Sequence, residues 1–250
     1  MLTATRSLAL AALMALVSAS RGVRAQDAPI TLGNTDSSLA SRIGRRFSGT
    51  MGALQMRPTG EFRQYVGLAY GAGGNALFRL DDRGIFSLRA DLGWLGYGHE
   101  SKRVPLSPTV GGRVMVDVET TNQILFFTVG PQFTSPSGFL RPYVGASGGL
   151  THFFTTSGVN GASDEWDFAR TENFHSTKLS WIGNAGAYVP LRIRRLPIML
   201  DLGVTYVDGG RRSYLRRGSI IDNADGTIQL NPVHSDTRFL AYRLGVRFGS

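Results

Sequence analysis

The stretch Ile85-Phe86-Ser87-Leu88-Arg89-Ala90-Asp91-Leu92-Gly93-Trp94-Leu95-Gly96-Tyr97-Gly98 decides the fold. Phe86, Leu88, Ala90, Leu92 and Trp94 alternate with Ser87, Arg89, Asp91 and Gly93. Successive side chains of a strand point to opposite faces, so a period of two sets an apolar face against a charged one. In a soluble sandwich the apolar face turns inward. In a membrane barrel it turns to lipid, and the charges point into the lumen.

The same alternation recurs along the chain. Leu240, Tyr242, Leu244, Val246 and Phe248 alternate with Ala241, Arg243, Gly245 and Arg247. Ile198, Leu200, Leu202, Val204 and Tyr206 face Met199, Asp201, Gly203 and Thr205. Further stripes run from Leu125 to Phe133 and from Leu140 to Leu150, the latter with Arg141 on its polar side, and a weaker one from Leu179 to Val189. Tyr65–Leu80 and Phe47–Met56 complete a set of eight strand candidates.

The connections choose between the two readings. Short turns are expected at 81–84, 135–138 and about 191–196, and longer loops at about 57–64, 99–112, 157–176 and 209–236. Strict alternation of short and long is the habit of transmembrane barrels, with tight periplasmic turns and longer external loops. The predicted fold is therefore all-β: an eight-stranded antiparallel up-and-down transmembrane barrel with both chain ends on the periplasmic side.

The ends and the composition agree. Arg6 precedes the apolar run Ser7–Val17, too short for a spanning helix of about 20 residues but long enough for a signal-peptide core. Val23-Arg24-Ala25 offers compact residues at the two positions a signal peptidase reads, so cleavage is expected after Ala25. Residues 1–25 are thus read as a leader, 26–45 as a flexible lead-in and 46–250 as the barrel in a bacterial outer membrane. No later stretch reaches 18 apolar residues. Removing Arg6, Arg21 and Arg24 from the formal charge of +9 leaves +6, which suits acidic lipids or glycans. With no cysteine, disulfides, thiolate metal sites and a lipid-modified N-terminal cysteine are excluded.

Three local features resemble the small outer-membrane barrels of the OmpA/OmpX-like group. They are Pro58-Thr59-Gly60-Glu61-Phe62, Arg79-Leu80-Asp81-Asp82-Arg83-Gly84 and the closing Arg243-Leu244-Gly245-Val246-Arg247-Phe248. The last is similar to the signal by which the barrel assembly machinery recognises its substrates, although Gly249 and Ser250 follow the aromatic residue that usually ends it. The resemblance implies that machinery as a partner and covers residues 46–250. Tethering to the cell wall through a peptidoglycan-binding domain is not expected.

Eight strands enclose an interior just wide enough for side chains, so a filled lumen without porin activity is expected. Arg89, Asp91, Arg141, Asp201, Arg243 and Arg247 are the candidate lumen ion-pair network, with Asp201–Arg243 its central pair. Outward Trp94, Phe133, Phe139, Trp181, Tyr206 and Phe248 are expected in the aromatic girdles at the membrane surfaces. The run Arg211-Arg212-Ser213-Tyr214-Leu215-Arg216-Arg217 is the functional candidate. Arg211, Arg212, Arg216 and Arg217 suit phosphates, those of lipopolysaccharide on the outer face. A hairpin tip at Asn223–Gly226 lies in the same loop, and the acidic run Asp164-Glu165-Trp166-Asp167 is a candidate meeting point for those arginines.

Chemistry is otherwise sparse. His99, His152, His175 and His234 have no metal-ligand spacing, and no cofactor motif is present. Adjacent residues of a strand face opposite ways, so His175 is badly placed to activate Ser176. The expectation is a non-enzymatic, monomeric envelope barrel with no cofactor and no nucleic acid partner, contacting lipopolysaccharide or a surface partner. Alternatives are a small-solute or lipid transporter and a lipid A deacylase.

Overall fold

The computed structural model describes residues 46–105, 115–160, 169–193, 196–223 and 227–249. The leader and lead-in, the acidic run 164–167 and the tip residues 224–226 lie outside the described residues. In chain order the elements are β1 (Phe47–Thr59), α1 (Phe62–Tyr65), β2 (Ala69–Arg79), β3 (Phe86–Pro105), β4 (Met115–Thr134), β5 (Arg141–Asn160), β6 (Ala169–Ile193), β7 (Leu196–Tyr214), β8 (Ile220–Asp222), β9 (Ile228–Leu230) and β10 (Val233–Phe248). β1–β7 and β10 close into one barrel in sequence order, each strand antiparallel to its neighbours. Closure joins β1 to β10, with Gly52 opposite Gly245. The short strands β8 and β9 form a separate hairpin.

The alternation read from the sequence becomes the two faces of the wall. In β3, Ser87, Arg89, Asp91 and Leu95 are buried, while Leu88, Leu92 and Trp94 are exposed. In β4, Phe126, Thr128 and Gln132 are buried between exposed Leu125, Phe127, Val129 and Phe133. Polar inside and apolar outside is the inverse of a soluble core. It is what lipid demands of a barrel that satisfies its backbone groups by closure.

Tight turns occupy one end. Between β2 and β3 the Asp81 carboxylate accepts from the Phe86 and Ile85 N–H groups at 2.7 and 3.1 Å. Gly84, at φ 71°, makes the reversal there. At the other end the strands run further than their sequence stripes. β3 continues to Pro105, β4 starts at Met115, β5 reaches Asn160 and β6 starts at Ala169, so most of the loops expected at 99–112 and 157–176 is strand. The loop expected at 209–236 likewise gives its ends to β7 and β10 and carries β8 and β9. Above the lipid both faces are polar, so pairing continues without an apolar stripe. The strand expected at Tyr65–Leu80 begins only at Ala69, because α1 takes Phe62–Tyr65.

The lumen has two layers. Near the tight turns it is polar, with the stacked pair Tyr143–Tyr188 (4.6 Å between centroids) beside Leu77. Toward the loops it is an apolar core of Leu54, Met56, Leu95, Ile124, Phe126, Ile182, Val207 and Phe239 around the fully buried Phe62.

Candidate functional site

The polar layer is built on inward positions of six strands. Arg89 on β3 holds the Asp91 carboxylate two-pronged, Nε and Nη2 donating at 2.7 and 2.6 Å, and its Nη1 donates to Gln132 Oε1 at 2.6 Å. Across the lumen, Arg243 Nε on β10 donates to Asp201 Oδ2 on β7 at 2.9 Å, and its Nη1 lies 3.5 Å from Asp91. Tyr143 joins the halves: its hydroxyl donates to Asp201 Oδ1 at 2.8 Å and accepts from Arg243 Nη2 at 3.0 Å. Gln132 Nε2 donates in turn to the Tyr188 hydroxyl at 3.2 Å. Asp201 is fully buried, and Arg89, Asp91 and Arg243 nearly so. Charges this deep are tolerated only when their remaining donors and acceptors are also satisfied, as these are. Space for the hub comes from glycine, since a Cβ on Gly186 or Gly203 would collide with the Tyr143 hydroxyl.

Two expected members stand apart. Arg247 reaches Ser48 Oγ at 2.9 Å and stacks over the Tyr188 ring at 4.3 Å, but pairs with no carboxylate among the described residues. Arg141 is half-buried, its Nε without a hydrogen-bond partner. The physical reason is stoichiometric: the lumen supplies Asp91 and Asp201, and Arg89 and Arg243 take both.

The arginine run is split. Arg211, Arg216 and Arg217 are exposed, Arg216 lying over the Tyr65 ring at 5.7 Å. Arg212 is fully buried, so it does not belong with an external phosphate site. It donates to Thr151 O at 2.8 Å, to Gly209 O and to Ser180 Oγ, and stacks on Phe153 at 4.7 Å. A bulge causes this. Between the pairs Arg211–Asp236 and Asp208–Arg238, Gly209 and Gly210 face the single residue Thr237. Gly210 takes φ 65°, and beyond it the inward parity of β7 switches from odd to even positions.

The outer mouth is roofed by its own chain. Phe62 packs edge-on to Tyr214 (5.2 Å) and Phe153 (5.9 Å), with Tyr97 at 6.3 Å. Glu61 accepts from the Asp236 N–H at 3.2 Å. The last connection crosses to β3, where the Tyr97 hydroxyl donates to Leu215 O at 2.8 Å and Lys102 Nζ to Ile220 O at 3.0 Å. The plug therefore includes Phe62 and Tyr214, which strand alternation alone does not reveal. The signal for Phe62 is an aromatic residue stranded between Glu61 and Arg63-Gln64 in a polar turn.

The histidines fall on strands. His152 and His175 stack at 5.9 Å despite their separation in sequence, and His175 Nδ1 lies 2.8 Å from Glu172. His234 Nδ1 lies 3.0 Å from Ser213 Oγ, but no carboxylate partners His234 among the described residues. No group of three metal-ligating side chains is found among those residues.

No protein-family model matches the sequence, and no curated protein does. Solved structures do. Neisserial surface protein A is 15% identical, over 82% of this chain and 97% of that one, with a TM-score of 0.41. Ail, the attachment invasion locus protein of Yersinia pestis, in complex with the heparin analogue sucrose octasulfate, is 12% identical over 81% and 97%, at 0.42. A major outer membrane protein from Thermus thermophilus is 13% identical over 80% and 98%, at 0.40.

Proposed function

We propose that this chain is a non-enzymatic barrel of the bacterial outer membrane, closed to solutes, whose external rim contacts lipopolysaccharide or a surface partner. The observation that carries the reading is the doubly filled lumen: a charged hub near the turns and an aromatic roof at the loops. A barrel blocked twice is left with its outer surface to act through. There, exposed Arg211, Arg216 and Arg217 stand on the collar above the apolar belt, where the nearest phosphates are those of lipopolysaccharide.

The test is binding of lipopolysaccharide to the purified barrel in uncharged detergent, with Arg216→Glu/Arg217→Glu as the comparison. Weaker binding by the variant supports the reading; equal binding removes the arginine rim from it. Conductance in planar bilayers and lipid A mass after expression address the alternatives. Stepwise currents favour a transporter, and loss of an acyl chain favours a deacylase.

A further inference from the structure

The lumen carries more buried positive charge than its carboxylates balance. Among the described residues four guanidiniums are buried, those of Arg89, Arg212, Arg243 and Arg247, against Asp91 and Asp201. Arg89 and Arg243 take both carboxylates. Arg212 is solvated by carbonyls and a hydroxyl. Arg247 is the poorly compensated one. At 8% exposure it has one hydrogen bond, to Ser48, and an aromatic face, while its Nε has no partner. Asp201 attracts it without pairing with it, and Arg79 and Arg141 act on it as further like charges.

Its neighbours in the wall are unusual in the same way. Thr50 lies opposite Arg247 on β1, and Asn75 lies opposite Thr50 on β2. Thr50 is 2% exposed and Asn75 is 6% exposed, yet the Thr50 hydroxyl and both amide atoms of Asn75 lack a protein partner. Three strand neighbours thus bring unsatisfied donors into one row: a charged N–H, a hydroxyl and an amide NH₂. Buried donors are normally satisfied, and a buried unpaired cation is the costliest exception.

We propose that this row binds a small monovalent anion, chloride by its chemistry, with Arg247 as counter-charge and Thr50 and Asn75 as neutral donors. Ordered water then satisfies the Asn75 carbonyl. The size and charge limits come from Asp91, which stands opposite Asn75 on β3. Its oxygens are engaged by Arg89 and Arg243, but its charge disfavours a multivalent guest such as phosphate.

An anion bound only by the folded barrel raises its stability with concentration and then saturates. The test is the midpoint of heat-modified gel migration in uncharged detergent at constant ionic strength, as sodium chloride replaces sodium gluconate. The wild-type midpoint is expected to rise by a few degrees and level off, and Arg247→Gln and Asn75→Leu to lose the dependence. Equal wild-type midpoints in the two salts overturn the proposal, as does an undiminished chloride response in Arg247→Gln. Should Arg247→Gln fail to fold, wild-type crystals soaked in bromide decide. An anomalous peak within hydrogen-bond reach of Arg247 Nε supports the site, and ordered water alone there overturns it.

Discussion

Asp201 has no exposed surface and sits between the Arg243 guanidinium and the Tyr143 hydroxyl. Removing it strands a buried cation, a change that typically costs about 3–5 kcal/mol. Asp201→Ala is therefore expected to lower the heat-modification midpoint of the barrel markedly. An unaltered midpoint would mean that water compensates Arg243. Gly203→Ala attacks the same hub by crowding, since its Cβ would meet the Tyr143 hydroxyl. Overpacking of this kind costs roughly 1–3 kcal/mol, so a smaller drop is expected in the same assay. The Asp201–Arg243 pairing is legible in sequence because lipid selects an apolar residue at every second position and leaves the polar ones facing the lumen. Arg212 is not legible by that rule. Its direction depends on the Gly209-Gly210 bulge, and two consecutive glycines are the signal that the count restarts there.

At the scale of elements, the membrane-level halves of the strands declare themselves, while their outer extensions do not. In β3, the alternation from Phe86 to Trp94 is set by lipid on one side and the plug on the other. Its continuation, His99 to Pro105, pairs with β4 beyond a register shift at Gly96–Gly98, with water on one face and the polar last connection on the other, so hydropathy carries no period there. The β2–β3 turn is held by a titratable group. Desolvation works against the Asp81 charge, but hydrogen bonds from the Phe86 and Ile85 N–H groups outweigh it and hold the carboxyl below its ordinary value of 3.8. A depressed carboxyl stabilises the folded turn above its unfolded value and loses that contribution as pH falls through the lower, folded value. The amide protection of Ile85 and Phe86, taken relative to the intrinsic exchange rate at each pH, is thus expected to fall below about pH 4 in wild type. In Asp81→Asn that acid-specific loss of protection should disappear. The roof element α1 contributes mainly Phe62. Phe62→Ala removes a fully buried ring, at a typical cost of about 3–5 kcal/mol, and should lower the melting midpoint while leaving the charged hub intact.

For the molecule as a whole, the question is whether two plugs in series ever open together. The hub and the roof are built from different residues at different depths, so Phe62→Ala alone is expected to leave conductance in planar bilayers at baseline. Combination with Asp201→Ala is expected to produce leak. Single-variant leak would assign the entire seal to the roof. The closed barrel and its filled interior could be reasoned from composition, turn spacing and strand number, because those are properties of every strand at once. The crossing of the last connection over the mouth to Tyr97 and Lys102 is a long-range contact with no local pattern, and so no sequence window announces it. The bulge at Gly209 and Gly210 has a further implication for how this protein tolerates change. A ladder keeps count, and one supernumerary residue inverts every position beyond it. Deleting Gly210, whose N–H donates to Asp208 and whose carbonyl accepts from Thr237, would remove that surplus residue and leave Gly209 alone opposite Thr237. Arg211 and Arg212 would keep Asp236 and Ser235 as partners, so Arg212 stays inward and Ser213 stays outward. Because the chain has no cysteine of its own, a single cysteine placed at 213 reports the facing: it should keep its reactivity to a water-soluble thiol reagent after the deletion, and lost reactivity would mean that the strand slips instead. The electrostatic face of the collar is thus held by pairing with β10, and the bulge stores the one residue of β7 that this pairing can spare.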